Sequence, residues 1–293
     1  MRYRRARDYG TARHIAEQLV ARATGDGWPA RIAQRLGWLR APQVIRHNLD
    51  VVTDRPGRPP LRLAFASDFH AGPTTHPDVL VATAALLANL RPDALLLGGD
   101  YVSHDARFID PLAPLLGAVP TRYGCYGVLG NHDLWVDEPA IVRALTAVGV
   151  RLLENGSVCL PAPYDDVWLC GLDDPGGGEP DADAALAGAD GVRVVLMHSP
   201  EGLSALSDRR FDVALCGHTH GGQIVWPSGR PIWVPPGSYN RAYPHGRFLL
   251  DGDHRPALLV SRGVGYGSLP LRLFAPSDVL LVTLRWREKT ALG

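Results

Sequence analysis

Leu61-Arg62-Leu63-Ala64-Phe65-Ala66-Ser67-Asp68-Phe69-His70 runs without a break from a strand-like stretch into an Asp and a His. The same passage from apolar run to polar donor recurs along the chain. Ala94 to Gly98 leads to Gly99-Asp100, and Tyr123 to Leu129 leads to Gly130-Asn131-His132-Asp133. Val192 to Met197 leads to His198, and Val213 to Cys216 leads to Gly217-His218-Thr219-His220. Helical patterns follow the first three runs, over 78–90, 107–116 and 138–148. That alternation predicts an α/β fold. In open α/β sheets, ligands gather beyond the carboxyl ends of the strands, so the five polar blocks are expected at one rim.

The blocks offer carboxylates, an amide oxygen and imidazoles, which is a ligand set for two metal ions. Asp68 and His70 are two residues apart, so on a regular strand they share a face and reach one ion. His218 and His220 repeat that spacing. Asp100 is the natural bridge, because one carboxylate can offer an oxygen to each of two ions. Gly98-Gly99, Gly130 and Gly217 let the backbone turn sharply beside an ion. The oxygen and nitrogen mixture suits Mn, Fe or Zn better than Mg²⁺ or Ca²⁺. Two ions about 3.5–4 Å apart would supply hydroxide, neutralise phosphoryl oxygens and orient phosphorus for in-line attack. Phosphate-ester hydrolysis is therefore the leading reading, with His132 placed to protonate the departing alkoxide. Alone, each block has a plainer reading: a cap, a tight turn or a core histidine. Their order, each after a strand, favours the site.

The 293 residues carry 30 basic and 30 acidic side chains, so no global field points to nucleic acid. Residues 1–46, however, hold ten arginines against Asp8, Glu17 and Asp26. This leaves the remainder acidic, and it contains no basic run with stacking aromatics, which disfavours a nuclease. Residues 1–48 read as a basic amphipathic pair of helices, 49–60 as a linker, 61–285 as the main domain and 286–293 as a tail. The extension either packs on the main domain or lies on an anionic membrane surface. No stretch is long and apolar enough for a span or a secretion signal. The expected location is cytoplasmic, peripheral at the inner membrane surface. Cys125, Cys159, Cys170 and Cys216 read as free thiols in a reducing compartment. In the second half Gln223–Trp226 reads as a strand, Glu201–Asp208 as a helix and 226–243 as an ordered loop near the site. Arg241, Arg262 and Arg272 fall in late loops and are candidates for binding substrate.

The order D-x-H, G-D, G-N-H-D, H, G-H-x-H over residues 68–220 resembles that of the calcineurin-like metallophosphoesterase superfamily. The His218–Gln223 run and the Ser261–Gly265 and Leu269–Arg272 segments are similar to its bacterial YkuE/YaeI-type branch. The resemblance implies a four-layer α/β/β/α sandwich of two mixed sheets flanked by helices, with a dimetal site at the sheet rims. It implies one ion on Asp68, His70, Asp100 and His220, and another on Asp100, Asn131, His198 and His218. Attack by a metal-bound hydroxide would follow, with His132 as acid and Asp133 in the catalytic set. Many relatives carry an acid three residues after the bridging Asp, where it can orient the catalytic His. Here that position is Ser103, and Asp105 or Asp133 is left for the role. A UDP-2,3-diacylglucosamine-type pyrophosphatase and a non-catalytic scaffold of the same fold are the alternative readings.

Overall fold

Leu63 and Phe65 face one way from their strand, Ala64 and Ala66 the other, and all four are fully buried. A strand apolar on both faces must be covered on both, and that requirement lays out the molecule. The computed structural model describes residues 27–288 except 252–254 and 268, together with 19 and 23–25. One six-stranded sheet runs in the order β1 (Gln43–Thr53), β12 (Asp278–Glu288), β2 (Leu61–Ala66), β3 (Ala94–Leu97), β4 (Cys125–Gly127) and β5 (Val150–Leu152). The other runs β10 (Gly246–Leu249), β11 (Ala257–Val260), β9 (Val213–Cys216), β8 (Val192–Leu196), β7 (Val167–Gly171) and β6 (Gly156–Cys159). Both sheets mix parallel and antiparallel pairs.

Three apolar layers hold these sheets and their helices together. Leu61, Leu63, Phe65 and Leu96 meet Leu169, Val194, Leu196 and Leu215 between the sheets. On the outer face of the first sheet, Ala64, Leu95 and Leu97 pack against α2 (Pro77–Leu90), α3 (Ile109–Gly117) and α5 (Glu138–Ala147). On the outer face of the second, Val195, Ala214 and Leu258 pack against α6 (Ala182–Leu186) and the turn at Leu203–Leu206. The result is the expected α/β/β/α layering. Three shorter helices complete the set: α1 (Trp28–Arg35), α4 (Asn131–Val136) and α7 (Ser238–Ala242). Cys170 and Cys216 lie in the outer layer of the second sheet. Burial pushes the Cys216 thiol up, away from the thiolate a metal would need.

The division at 48 and 60 needs correcting. Gln43–Thr53 is neither helix end nor linker but an eleven-residue strand, parallel to β12 along its whole length. Leu49, Val51 and Thr53 are buried while Asn48, Asp50 and Val52 are exposed, a period of two that the surrounding arginines obscure. Likewise β12 continues to Glu288, three residues into the supposed tail. Residues 1–18 and 289–293 of the expected extension and tail lie outside the described residues. Gln223–Trp226 is no strand. It makes only single bridges, Ile224 to Leu273 and Val225 to Pro231, because Gln223 is left-handed and the prolines that follow lack donors. The expected helix at Glu201–Asp208 shortens to a 3₁₀ turn over Pro200–Ser204. Among the described residues no helix is long and apolar enough to cross a membrane.

Truncation tests the corrected boundary. Removing residues 1–42 should leave the sheet intact. Removing residues 1–48 takes the first half of β1 and should cost on the order of 3 kcal/mol at roughly 1 kcal/mol per lost ladder bond, read by chemical denaturation.

Candidate metal centre

Parallel strands β2, β3 and β4 of one sheet and β9, β8 and β7 of the other end at a common edge, where the sheets are stitched together. Val264 N–H donates to the Ser67 carbonyl at 2.9 Å and Gly265 N–H to the Asp68 carbonyl at 2.7 Å. His218 N–H donates to both Asp68 carboxylate oxygens at 3.0 and 3.1 Å. At this seam the chain abandons strand geometry. Asp68, His70, Asp100, His218 and His220 have φ of 54°, 44°, 53°, 69° and 53°, a left-handed region costing about 1–3 kcal/mol for each such residue. Two glycines permit the crowding. A Cβ on Gly130 would strike the Asp100 carboxylate, and one on Gly217 would strike Asp68 and Ser67.

Two donor groups result. In one, His70 Nε2 lies 3.0 Å from His220 Nε2, which lies 3.5 Å from Asp68 Oδ1. In the other, His198 Nε2 lies 3.1 Å from both Asn131 Oδ1 and His218 Nδ1. Asp100 Oδ2 stands between them, 3.5 Å from His70 Nε2 and 3.3 Å from His198 Nε2. The ligand atoms of Asp68, His70 and His220 lie within 4.8 Å of one another, as do those of Asp100, His198 and His218. The strand-spacing argument that His218 and His220 serve one ion is thereby corrected. Both residues lie beyond the end of β9 and not on a strand, and they fall in different groups.

The surroundings orient these rings. His198 Nδ1 lies 2.8 Å from the Gly98 carbonyl. A carbonyl only accepts, so Nδ1 carries a hydrogen and Nε2 faces the donor group. Ser103 serves two rings. Its Oγ lies 3.2 Å from His70 Nδ1 and its carbonyl 3.1 Å from His132 Nδ1. The partner of His132 therefore comes from the position that lacks the acid, through its main chain. Asp105 caps the Arg107 N–H and is ion-paired with that side chain instead.

Burial dominates the electrostatics. It pushes Asp68 up to about 6 and His70 down to about 3, and holds His220 well below its ordinary value. Burial also opposes charge on Asp100, but His198, His132 and His70 beside it overcome this and hold it well below the carboxylate range. Against the burial that opposes its charge, the carboxylates of Asp100, Asp174 and Asp68 hold His198 well above its ordinary value. Carboxylate oxygens and ring nitrogens thus crowd a buried space, a donor set that fits cations.

Two assignments change. Asp133, counted in the catalytic set, is fully buried and occupied by backbone. It accepts from the N–H groups of Gly130, Asp100, Tyr101 and Val102 at 2.8–3.3 Å. At N3 of α4 it reaches back to the Gly130 N–H, the acidic half of a capping box, and ties that helix to the Asp100 loop. Burial and the nearby Asp100 push its carboxyl up, while the backbone donors favour its charged form. Arg272, proposed for substrate, has five N–H groups that share six main-chain acceptor contacts, one of them to the Gly263 carbonyl, and its Nη2 lies 3.2 Å from His220 Nδ1. The other contacts reach the carbonyls of His220, Arg262, Gly265 and Ala275, so it secures the loops. Arg262 stays a candidate. Its Nε is buried without a hydrogen-bond partner, and its stem packs over Gly221. Arg241 is exposed on α7. The sequence reading passed over Asp174, fully buried near His198 and pushed up to about 6, chiefly by burial. The only signal was a carboxylate just ahead of Pro175 and three glycines, in the stretch Asp173–Pro180 that reads as a loop.

Asp133→Asn places amide hydrogens against backbone donors. It should lower stability by about 2 kcal/mol and reduce metal bound per chain, read by denaturation and elemental analysis. A variant that is as stable and as metal-rich as the parent would contradict the bracing role.

Residues 61–222 match the family model of the calcineurin-like phosphoesterases. The phosphodiesterase YaeI of Escherichia coli is 31% identical over 262 residues, spanning 85% of this chain and 89% of its own. The uncharacterized metallophosphoesterase YkuE of Bacillus subtilis is 31% identical over 201 residues, 67% of this chain and 68% of its own. A dimetal phosphatase from Danio rerio overlays with a TM-score of 0.46 at 14% identity, covering 70% of this chain and 88% of that one. With the family-model match over residues 61–222, the 31% identity to YaeI and a buried Asp and His cluster to receive metal, the chain belongs to the calcineurin-like phosphoesterase family, the metal-dependent hydrolases of phosphoric esters.

Proposed function

We propose that the chain hydrolyses a phosphoester with two transition-metal ions of the Mn, Fe or Zn kind. Asp68, His70, Asp100 and His220 would hold one, and Asp100, Asn131, His198 and His218 the other. The observation that carries this is Asp100 Oδ2, within 3.5 Å of a histidine nitrogen in each donor group. Ions bound there would lower the pKa of a water and neutralise the phosphoryl oxygens. No ligand position of the family pattern is missing, which speaks against the scaffold alternative.

His132 is the acid in this reading. Its N–H is anchored on Asp100 Oδ1 at 2.9 Å and its Nδ1 on the Ser103 carbonyl. With Nδ1 donating to that carbonyl, Nε2 is the ring atom left to face substrate, and it gives a proton to the departing alkoxide when the ring is an imidazolium. Its ring stands edge-on to His70 at 4.9 Å and tilted against Trp135 at 5.1 Å, which fixes its plane beside the donors. The name of YaeI favours a diester over a monoester.

The test is elemental analysis together with hydrolysis of p-nitrophenyl phosphate and bis-p-nitrophenyl phosphate in Mn²⁺. Bound transition metal with turnover, faster on the diester, is the expected result. Absence of both after reconstitution would return the chain to the scaffold reading. His132→Ala should keep its metal and lose about 10²–10⁴-fold in rate, most severely on alkyl esters. Full activity on an alkyl ester would remove the acid role.

A further inference from the structure

Of the parallel strands that end at the common edge, all but one lead to a donor already placed in the metal centre. β2, β3 and β4 lead to Asp68, Asp100 and Asn131, and β8 and β9 lead to His198 and His218. The strand left over is β7. It pairs in parallel with β8, Gly171 lying opposite Leu196, and the Leu172 N–H carries the ladder on to the Leu196 carbonyl at 2.8 Å. Two residues further along, at the same edge as His198, stands Asp174, which is fully buried.

A buried carboxylate is ordinarily surrounded by donors, as Asp133 is. Asp174 is only half provided for. Its Oδ2 accepts the Gly176 N–H at 2.8 Å, whereas its Oδ1 is buried without a hydrogen-bond partner. The loop that presents it is braced. Asn155 Oδ1 accepts the Asp173 N–H at 3.0 Å, Asp173 Oδ2 accepts the Glu179 N–H at 2.8 Å, and the Gly178 N–H donates to the Asp174 carbonyl at 2.7 Å. Glycines let this loop press onto α4. A Cβ on Gly176 would lie 3.4 Å from Asn131 Cβ and 2.9 Å from Asp174 Oδ2, and one on Gly177 would lie 3.0 Å from Leu134. Burial opposes a charge on Asp174, and among its neighbours His198 favours that charge most. Asn131 and His198, the residues nearest this loop and this carboxylate, belong to the same donor group.

That group is short of negative charge. The first donor group has Asp68 to itself and shares Asp100. The second has Asn131, His198 and His218, all neutral when they ligate, and only the shared Asp100. A buried cation needs anionic compensation close by. Asp174 stands outside the trios of ligand atoms that lie within 4.8 Å of one another, so it acts from behind the ligands. We propose, on the dimetal reading given above, that Asp174 is a positioning residue of the second metal site, whose carboxylate supplies the charge that Asn131, His198 and His218 lack and sets how tightly their ion is held. The partner of its bare Oδ1 is then the field of the cation.

The full chain, stripped of metal, is titrated with Mn²⁺ and followed by electron paramagnetic resonance, in which two neighbouring Mn²⁺ ions give a spin-coupled signal and a single ion does not. Asp174→Asn keeps an acceptor for the Gly176 N–H and removes only the charge. It should match the parent in stability by denaturation and in affinity for its first Mn²⁺. The coupled signal should need about 10–100-fold more Mn²⁺ than in the parent. Below that, the single-ion signal should match that of Asn131→Ala, which lacks a ligand of the second group. A coupled pair at parent Mn²⁺ concentrations would overturn the proposal and leave the dimetal reading standing. A single-ion signal unlike that of Asn131→Ala would put the loss in the other group and overturn it as well. So would loss of stability together with both ions, which would make Asp174 a brace of its loop. A parent chain without a coupled pair would remove the dimetal reading, and the role of Asp174 with it.

Discussion

A carboxylate buried between two sheets cannot keep its charge without compensation, and Asp100 is such a carboxylate. Removed from water, it would cost several kcal/mol if left alone. Its surroundings answer with His70 and His198 nitrogens at 3.5 and 3.3 Å and with the His132 N–H at 2.9 Å. Asp133, buried beside it, has four backbone donors of its own. The rest of the seam follows from keeping these oxygens and nitrogens at hydrogen-bond separation in a buried space. The glycines that let backbones touch, the Gly98 carbonyl that orients the His198 ring and the buried Arg272 that holds the loops all serve that end.

The strain at the same seam has a matching logic. Five of the residues that carry donor atoms are left-handed, and only extensive packing makes such conformations tolerable. The apolar layers on either side of both sheets supply that packing. Stability is thus generated in the layers and partly spent at the edge, where donor atoms are turned back toward one another.

Much of this was legible in the sequence, because the donor residues follow strands that advertise themselves as continuous apolar runs. Asp68, His70, Asp100, Asn131, His198, His218 and His220 could be listed from their blocks alone. What the spacing could not give was which donors meet. The two-residue period holds only on a regular strand, and His218 and His220 do not lie on one. Ser103 was hidden for another reason: its contact with His132 is made by a main-chain carbonyl, which every residue has. Asp133 looked catalytic because its type and place suited catalysis, whereas its oxygens are filled by backbone N–H groups, those of Asp100, Tyr101 and Val102 distant in sequence. Arg272 misled similarly, since a charged side chain in a late loop gives no sign that it will be buried among carbonyls. β1 was obscured by composition, its alternation being interrupted by arginine and histidine.

The donor groups also have a consequence in time. Each one draws from both sheets: Asp68 and His70 follow β2 while His220 follows β9, and Asp100 follows β3 while His198 and His218 follow β8 and β9. A chain emerging from the ribosome has all of its first-sheet donors long before any of the second, and contacts so far apart in sequence form late. No half-made chain can therefore assemble either group. Metal capture is deferred until the two sheets have docked, and a product truncated before residue 198 would carry the family's opening motifs without a centre in which to use them.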